Sequence, residues 1–529
     1  MTPSRPTVLR RLLPGCAALA LVGLVLAGCG GSSKASGAAG AAGTDGRAAQ
    51  AFPATTAAFV DANIDEHSDA WKRLLALGAR FPSFPKLVAD FNTSADRATD
   101  NGPTLSQVRG WLGSEVAVGV LDVPTDGSDP DVLGFAEVSD QGSLEAQLKK
   151  DKDTTVLAKH GDFDLFKSGG GNDIIAAISK DTALIGSTQA IVTAAIDRLG
   201  GTGDKLSDDG AFKDTLASLP SDNIAVAYAP GVVLQKLVAL GKQKDPTQSA
   251  QSVTSAQMSK ITAQLKGIGS LGFSLDATDN GLRTRTTALL NGDATTVPDA
   301  YKAELLSHVP ASSWFAASFG DLGTNAKSAT DQAIAGNQSA QTQVSQVEAL
   351  LGIKLDDVYA LLSGENALYA GPGAPVSAGL VMHPADAAKG AQTLRALTRA
   401  LATQGIKFDD TADGQSALVQ GFAARWRAVG DDLAIGTDAA VGDAVKDSIV
   451  DSDKFKRVLG EDGVDSGAKT LGLAYIDVPS LINIASAFGA FNDASNKEAL
   501  ANLKHVGGIL FWTGRDGNTV TSDVFVEST

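Results

Sequence analysis

The chain is poor in cysteine and in aromatic residues, and each shortage excludes a class of protein. It has only two cysteines in 529 residues, Cys16 and Cys29. Two cysteines supply neither a disulfide framework nor paired zinc ligands, so a body of this length must be stabilised by its own apolar core. Aromatic residues make up only 5% of the chain, which disfavours an extended aromatic surface for binding sugars.

The sequence also lacks the common signatures of metal-dependent, hydrolytic and nucleotide-binding enzymes. It contains no His-Glu-x-x-His, no Gly-x-Ser-x-Gly, no Walker loop, and no Gly-x-Gly-x-x-Gly turn between a strand and a helix. Its five histidines stand far apart along the chain: His67, His160, His308, His383 and His505. We therefore expect no cofactor, no metal and no catalytic activity. A hydrolase whose catalytic site has no recognisable motif is kept as a less favoured hypothesis, behind the two binding functions described below.

The first 28 residues have the pattern of an export signal. Three arginines precede the apolar run from Leu12 to Ala27, which contains Pro14. A membrane-spanning helix needs roughly 20 apolar residues, and this run is shorter, so a signal peptide over residues 1–28 is predicted. The pair Arg10-Arg11 leaves twin-arginine export open as an alternative to the general secretory route.

A cysteine follows this apolar run, in the sequence Leu26-Ala27-Gly28-Cys29. The pattern resembles the lipobox of bacterial lipoproteins. The resemblance implies that the signal peptidase recognises Leu26, Ala27 and Gly28 and that the Cys29 thiol carries the lipid. Stable anchoring needs two acyl chains, at about 0.8 kcal/mol per buried methylene. We expect a cell-membrane protein, lipid-anchored and facing the extracytoplasmic side; a secretory signal with a chance cysteine is the alternative.

Residues 29–50 are almost entirely Gly, Ala and Ser after the cysteine. Such a composition cannot bury a core, so it predicts a flexible tether with a root-mean-square span of roughly 25 Å. The rest of the chain is acidic. Three of the 44 basic residues lie in the signal, which leaves 41 against 60 acidic residues, a net charge of about −19 for the mature protein. This charge excludes nucleic acid as an expected partner.

The chain repeats one ordered series of segments. Pro53-Ala54-Thr55-Thr56 recurs as Pro310-Ala311-Ser312-Ser313. Further pairs follow in the same order: Trp111 to Glu115 with Leu361 to Glu365, Ala183 to Ser187 with Leu433 to Thr437, Phe212-Lys213 with Phe455-Lys456, Ala227-Tyr228 with Ala474-Tyr475, and Asp279-Asn280-Gly281 with Asp516-Gly517-Asn518. So many matches in one order indicate an internal duplication.

Each copy is predicted to be α+β, an antiparallel sheet with helices. Apolar runs such as Ile174 to Ile178 and Ala183 to Ile185, separated by Lys180-Asp181, have the pattern of a β-hairpin. Strands joined by tight turns pair antiparallel. The prediction is two tandem copies after the tether, at residues 51–295 and 296–529.

The duplication also predicts equivalent positions for particular residues. Gly186 and Gly436 are expected at equivalent strand-to-helix turns, and Tyr228 and Tyr475 at equivalent strand ends. Helix caps follow the two glycines. The candidate cap residues are Ser187 or Thr188 in the first copy and Thr437 or Asp438 in the second.

These segments resemble a bacterial family of secreted and lipid-anchored proteins known only as a domain of unknown function, number thirty-three fifty-two. The resemblance is carried by Pro53-Ala54, Trp111 to Glu115, the turn from Ala183 to Ser187, and the stretch from Phe212 to Tyr228. It extends over most of the mature chain. It implies an exported protein of this architecture, and it assigns no activity to any residue.

Several polar groups are weak candidates for chemistry. The aspartates 126, 129 and 131, and 409, 410 and 413, lack the spacing of a calcium loop, so solvated turns are expected. Glu115 and Glu365 occupy equivalent places, and we expect both to face solvent rather than form a catalytic pair. Core packing is expected for the tryptophans, which are Trp71, Trp111, Trp314, Trp426 and Trp512.

The expected function is a membrane-anchored extracytoplasmic lipoprotein with a non-enzymatic binding or structural role in the envelope. Its partner is then an unidentified envelope protein or a hydrophobic ligand. The alternative is a carrier of lipid or another hydrophobic ligand, with a cavity between sheet and helices. A large continuous apolar pocket favours the carrier, and tightly filled cores count against it.

Overall fold

The computed structural model describes two compact units. The described residues are 46–98, 105–124, 128–150, 153–168, 174–244, 265–292, 297–335, 337–373, 376–419, 422–437, 441, 447–464 and 467–529. The predicted signal peptide, Cys29 and the tether to residue 45 lie outside these ranges, as do Asp126 and Asp438. Unit 1 consists mainly of residues up to Thr296, and unit 2 mainly of residues from Val297 onward.

Helices and antiparallel strands make up both units, so the predicted α+β class is confirmed. The helices are α1 Ala48–Ala51, α2 Asp69–Gly78, α3 Phe84–Ala98, α4 Leu105–Trp111, α5 Gln141–Lys150, α6 Gln189–Leu199, α7 Gly210–Ala217, α8 Gly231–Lys244, α9 Leu322–Ile334, α10 Gln338–Leu351, α11 Leu355–Leu361, α12 Ala387–Thr403, α13 Asp453–Asp462, α14 Val478–Ala487 and α15 Ala494–Leu503. Short 3-10 helices cover Leu206–Asp208, Glu304–His308 and Ile449–Asp451. Within the described ranges, no helix combines the length and the apolar character needed to cross a bilayer.

The strands of unit 1 are β1 Ala58–Asn63, β2 Leu112–Val120, β3 Val132–Val138, β4 Thr154–Val156, β5 Asp164–Ser168, β6 Ile175–Ile178, β7 Thr182–Gly186, β8 Ala225–Pro230, β9 Ile268–Ala277 and β10 Gly281–Leu290. They pair antiparallel in the order β4-β5-β6-β7-β3-β2-β1-β8-β9-β10. The predicted hairpin around Lys180-Asp181 is therefore confirmed. Thr188 caps α6, because its hydroxyl accepts a hydrogen bond from the Ile191 amide at 3.3 Å.

An aromatic series fills the core of unit 1. Phe52, Phe59, Phe212 and Tyr228 meet edge to face in that order, with ring centroids 5.0, 5.7 and 5.1 Å apart. Aromatic pairs prefer this geometry, and each ring buries a large apolar area. Burial raises the pKa of Tyr228 to about 12. The core between β1, β8 and α7 is thus closely filled.

The strands of unit 2 are β11 Phe315–Phe319, β12 Asn366–Pro372, β13 Val376–Met382, β14 Phe408–Asp410, β15 Gly414–Val419, β16 Phe422–Val429, β17 Asp432–Thr437, β18 Gly472–Asp477, β19 Val506–Asp516 and β20 Thr519–Ser528. Their order is β14-β15-β16-β17-β13-β12-β11-β18-β19-β20. Gly430 and Gly517, with φ of 62° and 55°, make the tight turns after β16 and β19. Phe455 of α13 packs edge to face on Tyr475, 5.3 Å between centroids.

Two predicted boundaries are wrong in detail. The tether does not extend to Gln50, because Gly46 is buried and Ala48–Ala51 form a helix whose alanines pack into the core of unit 1. Small alanines fit this position, and composition alone did not separate them from a flexible linker. The tyrosines do not end strands either: Tyr228 and Tyr475 each lie within a six-residue strand.

Candidate binding face

One face of the unit 2 sheet has a continuous row of apolar side chains. Direct cross-strand pairing links Ile435, Leu380, Leu368, Ala317, Ala474 and Phe511 in turn. Residues paired in register point to the same face of a sheet, and neighbouring strands lie about 4.8 Å apart. The row, which we call the apolar row, therefore crosses six strands and extends about 24 Å.

The opposite face of the same strands forms the main core of unit 2. Ala316, Tyr369, Val381, Ala434 and Tyr475 each adjoin a member of the apolar row in sequence, and all are buried in one cluster. Because successive side chains of a strand point to opposite faces, the apolar row faces away from this core. The strands are thus apolar on both faces.

The apolar row is partly accessible to water. Leu368, Phe511 and Ile435 are 41%, 42% and 39% exposed. Helix α12 covers the neighbouring part of this face, where Met382 and Leu433 are buried in a second cluster. Contiguous exposed apolar surface on a folded domain is a common mark of an interaction site.

A groove of about 390 Å³ lies at the β11-β18-β19 end of the apolar row. Its lining residues are Ala317, Ser318, Phe319, Leu471, Gly472, Leu473, Ala474, Phe511 and Thr513. Their side chains carry no charge. The two hydroxyls are already engaged, Ser318 with Glu365 at 2.9 Å and Thr513 with Ser522 at 3.0 Å. The groove therefore offers hydrocarbon, not acid-base or nucleophilic groups, to whatever enters it.

A second cleft, of about 420 Å³, lies between α10 and α12 and has a different character. Lys354 and Lys389 line it, and each contacts a carboxylate at 2.9 Å, Glu348 and Asp357 respectively. The hydrogen bond from Lys354 holds the pKa of Glu348 below its usual value. The two lysines of this cleft are thus each paired with a carboxylate, and neither pair leaves a net charge to attract an ion.

The expectation that Glu115 and Glu365 face solvent is wrong. Each is half-buried and accepts two backbone amide hydrogen bonds from the start of a short helix. Glu115 binds the amides of Arg47 and Ala48 at 3.1 and 3.0 Å, and Glu365 those of Glu304 and Leu305 at 3.1 and 3.0 Å.

The first amides of a helix have no partner within the helix, and these two helices lack a side-chain cap of their own. A carboxylate from the sheet supplies the acceptors. Burial raises the pKa of Glu115 and of Glu365, and the negative charge of Glu137 raises that of Glu115 further. Their role is structural, and they do not form a catalytic pair: each serves its own helix in its own unit.

The structure brings together two histidines that are distant in sequence. His383 Nδ1 lies 2.7 Å from Asp432 Oδ1, and His308 Nε2 lies 3.3 Å from Asp432 Oδ2. In unit 1, His160 lies in a turn closed by a bridge to Phe163 and contacts Asp197 at 2.7 Å. Within the part of the chain that the structure describes, no group of three or more His, Cys, Asp or Glu side chains is arranged to hold a metal ion.

The aspartate clusters lie in turns and at strand ends. Asp131 accepts a hydrogen bond from Ser187 at 2.9 Å. Asp409 and Asp410 are exposed on β14. Asp413 binds the Arg425 guanidinium at 2.8 Å, which lowers the pKa of Asp413. Asp413 is thus matched by a protein cation.

Core packing of the tryptophans is observed for Trp71, Trp111 and Trp426, which are buried. The Trp426 Nε1 donates to the Gln415 side chain at 3.1 Å, as buried indoles usually require. Trp314 and Trp512 are half-buried, and Trp512 packs against the core of unit 2.

The apolar row was not among the residues singled out from the sequence. The available signal is the unbroken apolar character of strands such as Leu380-Val381-Met382, which is typical of strands covered on both faces. The sequence does not say which of the two faces other elements cover. The exposure of the apolar row became evident only from the structure, in which α12 covers the neighbouring part of the face and not the row itself.

Comparison with known proteins finds a family but no activity. The family model described as "Protein of unknown function (DUF3352)" matches residues 17–509. No curated protein matches the chain. Two solved structures, crystal forms IV and III of a protein designated TP0453, align at 7% and 8% identity. Each alignment covers 46% of this chain and 79% of the other, with a TM-score of 0.25, too low to support any inference.

Proposed function

The chain belongs to the DUF3352 family, whose description gives no activity. We propose that it is a lipid-anchored extracytoplasmic binding protein of the cell membrane. The proposed binding site is the apolar row of unit 2 with its groove. The role is binding rather than catalysis, because the groove presents hydrocarbon and two engaged hydroxyls. The partner is an envelope protein with an apolar surface.

The anchor part of the proposal is supported by Leu26-Ala27-Gly28-Cys29 and the Gly/Ala/Ser stretch that follows. We expect Cys29→Ala to leave the protein unanchored or unprocessed, since no thiol is then available for the lipid. Membrane fractionation with a labelled fatty acid measures this. Label retained by the alanine variant overturns the assignment.

The binding part is carried by one observation, an apolar row about 24 Å long on a sheet, in which three of the six residues are exposed. Leaving Leu368, Phe511 and Ile435 in water is unfavourable, at about 25 cal/mol per Å² of apolar area. A partner that covers them recovers this free energy. The groove beside Phe511 gives such a partner a recess for one of its own side chains.

A carrier of lipid or another hydrophobic ligand is the second candidate. The charge-free length of the apolar row favours it, because an extended alkyl chain has the same shape and polarity. The closely packed aromatic core of unit 1 favours a surface groove over an interior cavity as the ligand site.

We propose further that the two units are diverged tandem copies of one fold. Their strand orders correspond strand for strand, β4 to β10 with β14 to β20. Glu115 and Glu365 each bind the first amides of a short helix, and Phe212 and Phe455 each pack edge to face on a strand tyrosine. These side-chain details support common descent beyond a shared topology.

Native mass spectrometry of the full chain, extracted from its own membrane, tests the binding proposal. We expect a bound protein to be retained by the wild type and lost from Phe511→Ser and Leu368→Ser. Leu350→Ser, at a residue 68% exposed on α10 and outside the apolar row, is the matched control. A bound lipid lost in the same variants establishes the carrier instead. Retention of the bound species by Phe511→Ser contradicts this binding site.

A further inference from the structure

Unit 1 uses one of its own helices to cover the sheet face that is open as the groove in unit 2. Helix α2 packs on strand β9, and its Trp71 is fully buried. Trp71 belongs to one buried cluster with Ile224 and Leu275, and Phe273 packs against that cluster. The occupant of this face in unit 1 is therefore a helix with a tryptophan anchor.

Strand register places the groove of unit 2 at the corresponding position. Four residues correspond in order: Ala227, Phe273, Ile224 and Leu275 in unit 1, and Ala474, Phe511, Leu471 and Thr513 in unit 2. In each unit the first two pair across the sheet, and the amide of the third donates to the carbonyl of the fourth, at 2.8 Å in unit 1 and 2.6 Å in unit 2. All four residues of unit 2 line the groove.

The connection after β11 directs the next helix away from this face. Five residues separate β1 from α2, whereas only Gly320 and Asp321 separate β11 from α9. Asp321 has a left-handed φ of 54°, and α9 then packs on α11, where the Tyr359 hydroxyl donates to Thr330 at 2.7 Å. Among the described residues that line the groove, none belongs to α9. Unit 2 thus keeps the docking face without the helix that covers it in unit 1.

Charge at the rim of this face is reversed between the units. In unit 1, Arg73 of α2 contacts the carboxylate of Asp222, which lies two residues before Ile224. Two residues before Leu471, unit 2 has the exposed Lys469. Because opposite charges across an interface favour a partner and like charges disfavour it, a helix that docks on unit 2 needs an acid where α2 has an arginine.

The neighbouring charges of β19 do not provide a second free cation at this rim. Arg515 donates to the Val297 carbonyl at 2.6 Å and lies 3.9 Å from Asp299. Asp516 is the last residue of β19. Lys469 is therefore the charge that distinguishes this rim from the one that holds Arg73.

We propose that the groove of unit 2 binds an amphipathic helix of the partner protein, in the orientation that α2 has in unit 1. This inference rests on the proposed function and specifies which element of the partner binds. An aromatic side chain of that helix fills the groove beside Phe511, and an acidic side chain two residues later pairs with Lys469.

A tryptophan also has a hydrogen-bond acceptor at this position. In unit 1 the Trp71 Nε1 donates to the Asn63 carbonyl at 2.5 Å, as buried indoles usually require. By strand register, the corresponding carbonyl in unit 2 is that of Gly320.

The test uses a peptide copied from α2 as the probe. It covers residues 66–80 with Arg73→Glu, and a hydrocarbon staple joins positions 72 and 76, which are exposed in α2, because so short a helix is marginal in water. The protein is the full chain with Cys29→Ser, to which no lipid can be attached. Fluorescence anisotropy of a fluorescein on the peptide measures binding.

We expect the peptide to bind, and Trp71→Ala in the peptide to weaken binding by at least about tenfold, since buried tryptophans are typical interface anchors. Ala474→Leu in the protein adds bulk to the lining of the groove and should weaken binding similarly. Leu350→Ser is the matched control, because Leu350 is exposed outside the apolar row, and it should leave binding unchanged. Circular dichroism checks that each variant is folded.

A charge exchange tests the orientation of the helix. At low salt the wild-type protein should bind the peptide with Arg73→Glu roughly two- to fivefold more tightly than the peptide that keeps Arg73, the range expected for one exposed ion pair. Lys469→Asp should reverse this preference. An unchanged preference in Lys469→Asp contradicts the orientation taken from α2.

Absence of peptide binding, or binding that neither Trp71→Ala nor Ala474→Leu weakens, overturns the proposal. Palmitate that binds at the groove when the peptide does not identifies an alkyl chain as the occupant and also overturns it. The proposed function is tested separately, by the protein that the membrane-extracted chain retains. Loss of that protein from Phe511→Ser without peptide binding keeps the binding site and excludes the helix. Peptide binding at the groove with that protein retained by Phe511→Ser supports the helix and contradicts the proposed function.

Discussion

Hairpin β5-β6 in unit 1 and hairpin β15-β16 in unit 2 occupy the same place in their strand orders but differ in burial. All four residues of β6, Ile175 to Ile178, are at most 2% exposed. Strand β16 instead begins with the exposed Phe422 and Ala423. Strands at the same place in the two strand orders thus differ: β6 is buried throughout, and β16 begins with exposed residues.

The difference arises from what covers each hairpin. Strand β6 is apolar on both faces, with Ile175 and Ala177 in one buried cluster and Ile178 in another, which includes Leu144 and Leu148 of α5. In the described part of unit 2, Trp426 is the member of β16 in a buried cluster. An apolar strand sequence therefore indicates that the strand can be buried. Whether it is buried depends on the elements packed against it.

The apolar rows show the same contrast. Unit 1 has a row paired in the same way, formed by Ile185, Gly134, Val118, Val60, Ala227 and Phe273. Each of these residues is buried or half-buried, whereas three of the six in unit 2 are exposed. Of the two rows, the row of unit 2 is the more exposed.

The largest effect is expected from placing a charge at a buried position of β6 and at an exposed position of β16. Ala177 is fully buried, so Ala177→Asp places a carboxylate out of contact with water. This should lower the free energy of unfolding by several kcal/mol, an amount comparable with the whole stability of a domain. Ala423→Asp should change the free energy of unfolding by no more than about 0.5 kcal/mol. Chemical denaturation with limited proteolysis measures both. Equal tolerance of the two aspartates removes the contrast.

Shortening a phenylalanine should have the next largest effect. Phe212→Ala removes a ring with two edge-to-face contacts and should lower the free energy of unfolding of unit 1 by about 3–5 kcal/mol. Phe422→Ala should cost less than about 1 kcal/mol, because the ring is already half in water. Urea titrations of the two variants compare them. A loss of several kcal/mol in Phe422→Ala shows that the Phe422 ring packs against its own unit.

Alanine substitutions at Gly186 and at Gly436 should differ less in their effects on stability. A Cβ at Gly436 would lie 2.3 Å from the Ala378 carbonyl oxygen, which belongs to the neighbouring strand and cannot move aside. A Cβ at Gly186 would lie 2.7 Å from a methyl of Val192, a side chain that can shift. We expect Gly436→Ala to cost about 2–3 kcal/mol and Gly186→Ala about 1 kcal/mol. Thermal unfolding decides, and the reverse order contradicts this reading of the contacts.

The smallest effect concerns pH. Burial raises the pKa of Glu115 and of Glu365, so each carboxyl holds its proton more tightly in the folded than in the unfolded chain. Its contribution to stability is complete below about pH 4 and is lost as the pH rises through the raised pKa. The stability of the wild type relative to Glu115→Gln, or to Glu365→Gln, should therefore fall as the pH rises above about 4. A slope of opposite sign in one variant breaks the equivalence of the two glutamates.

Sequence reasoning succeeded where the signal is local. Tight turns and apolar alternation are properties of a few adjacent residues, so the hairpin at Lys180-Asp181, the turn at Gly430 and the cap of α6 were within reach. It failed at Glu115 and Glu365, because a charged residue at a strand start usually faces water. The helix amides that donate hydrogen bonds to these carboxylates belong to residues at least 60 positions away.

The candidate site was harder to predict from the sequence than the fold. Exposure of the apolar row depends on which elements cover each face, and the approach of His308 and His383 to Asp432 depends on strand pairing across the unit. Neither is a property of a local segment. The exposed Leu418 and Phe422 lie in a stretch of sequence without charged residues, but the same composition also describes the buried β6.

The burial of α1 has a mechanical consequence. The proposed lipid anchor at Cys29 would pull on the folded body through Gly46 and Arg47. Arg47 forms two hydrogen bonds to the Asp181 carboxylate, at 2.9 and 3.3 Å, and its amide is held by Glu115. Beyond α1 the chain enters β1, which is paired on one side with β2 and on the other with β8. Tension along this path loads several bonds and a central strand at once, so the body should resist extraction forces that would peel away an edge strand.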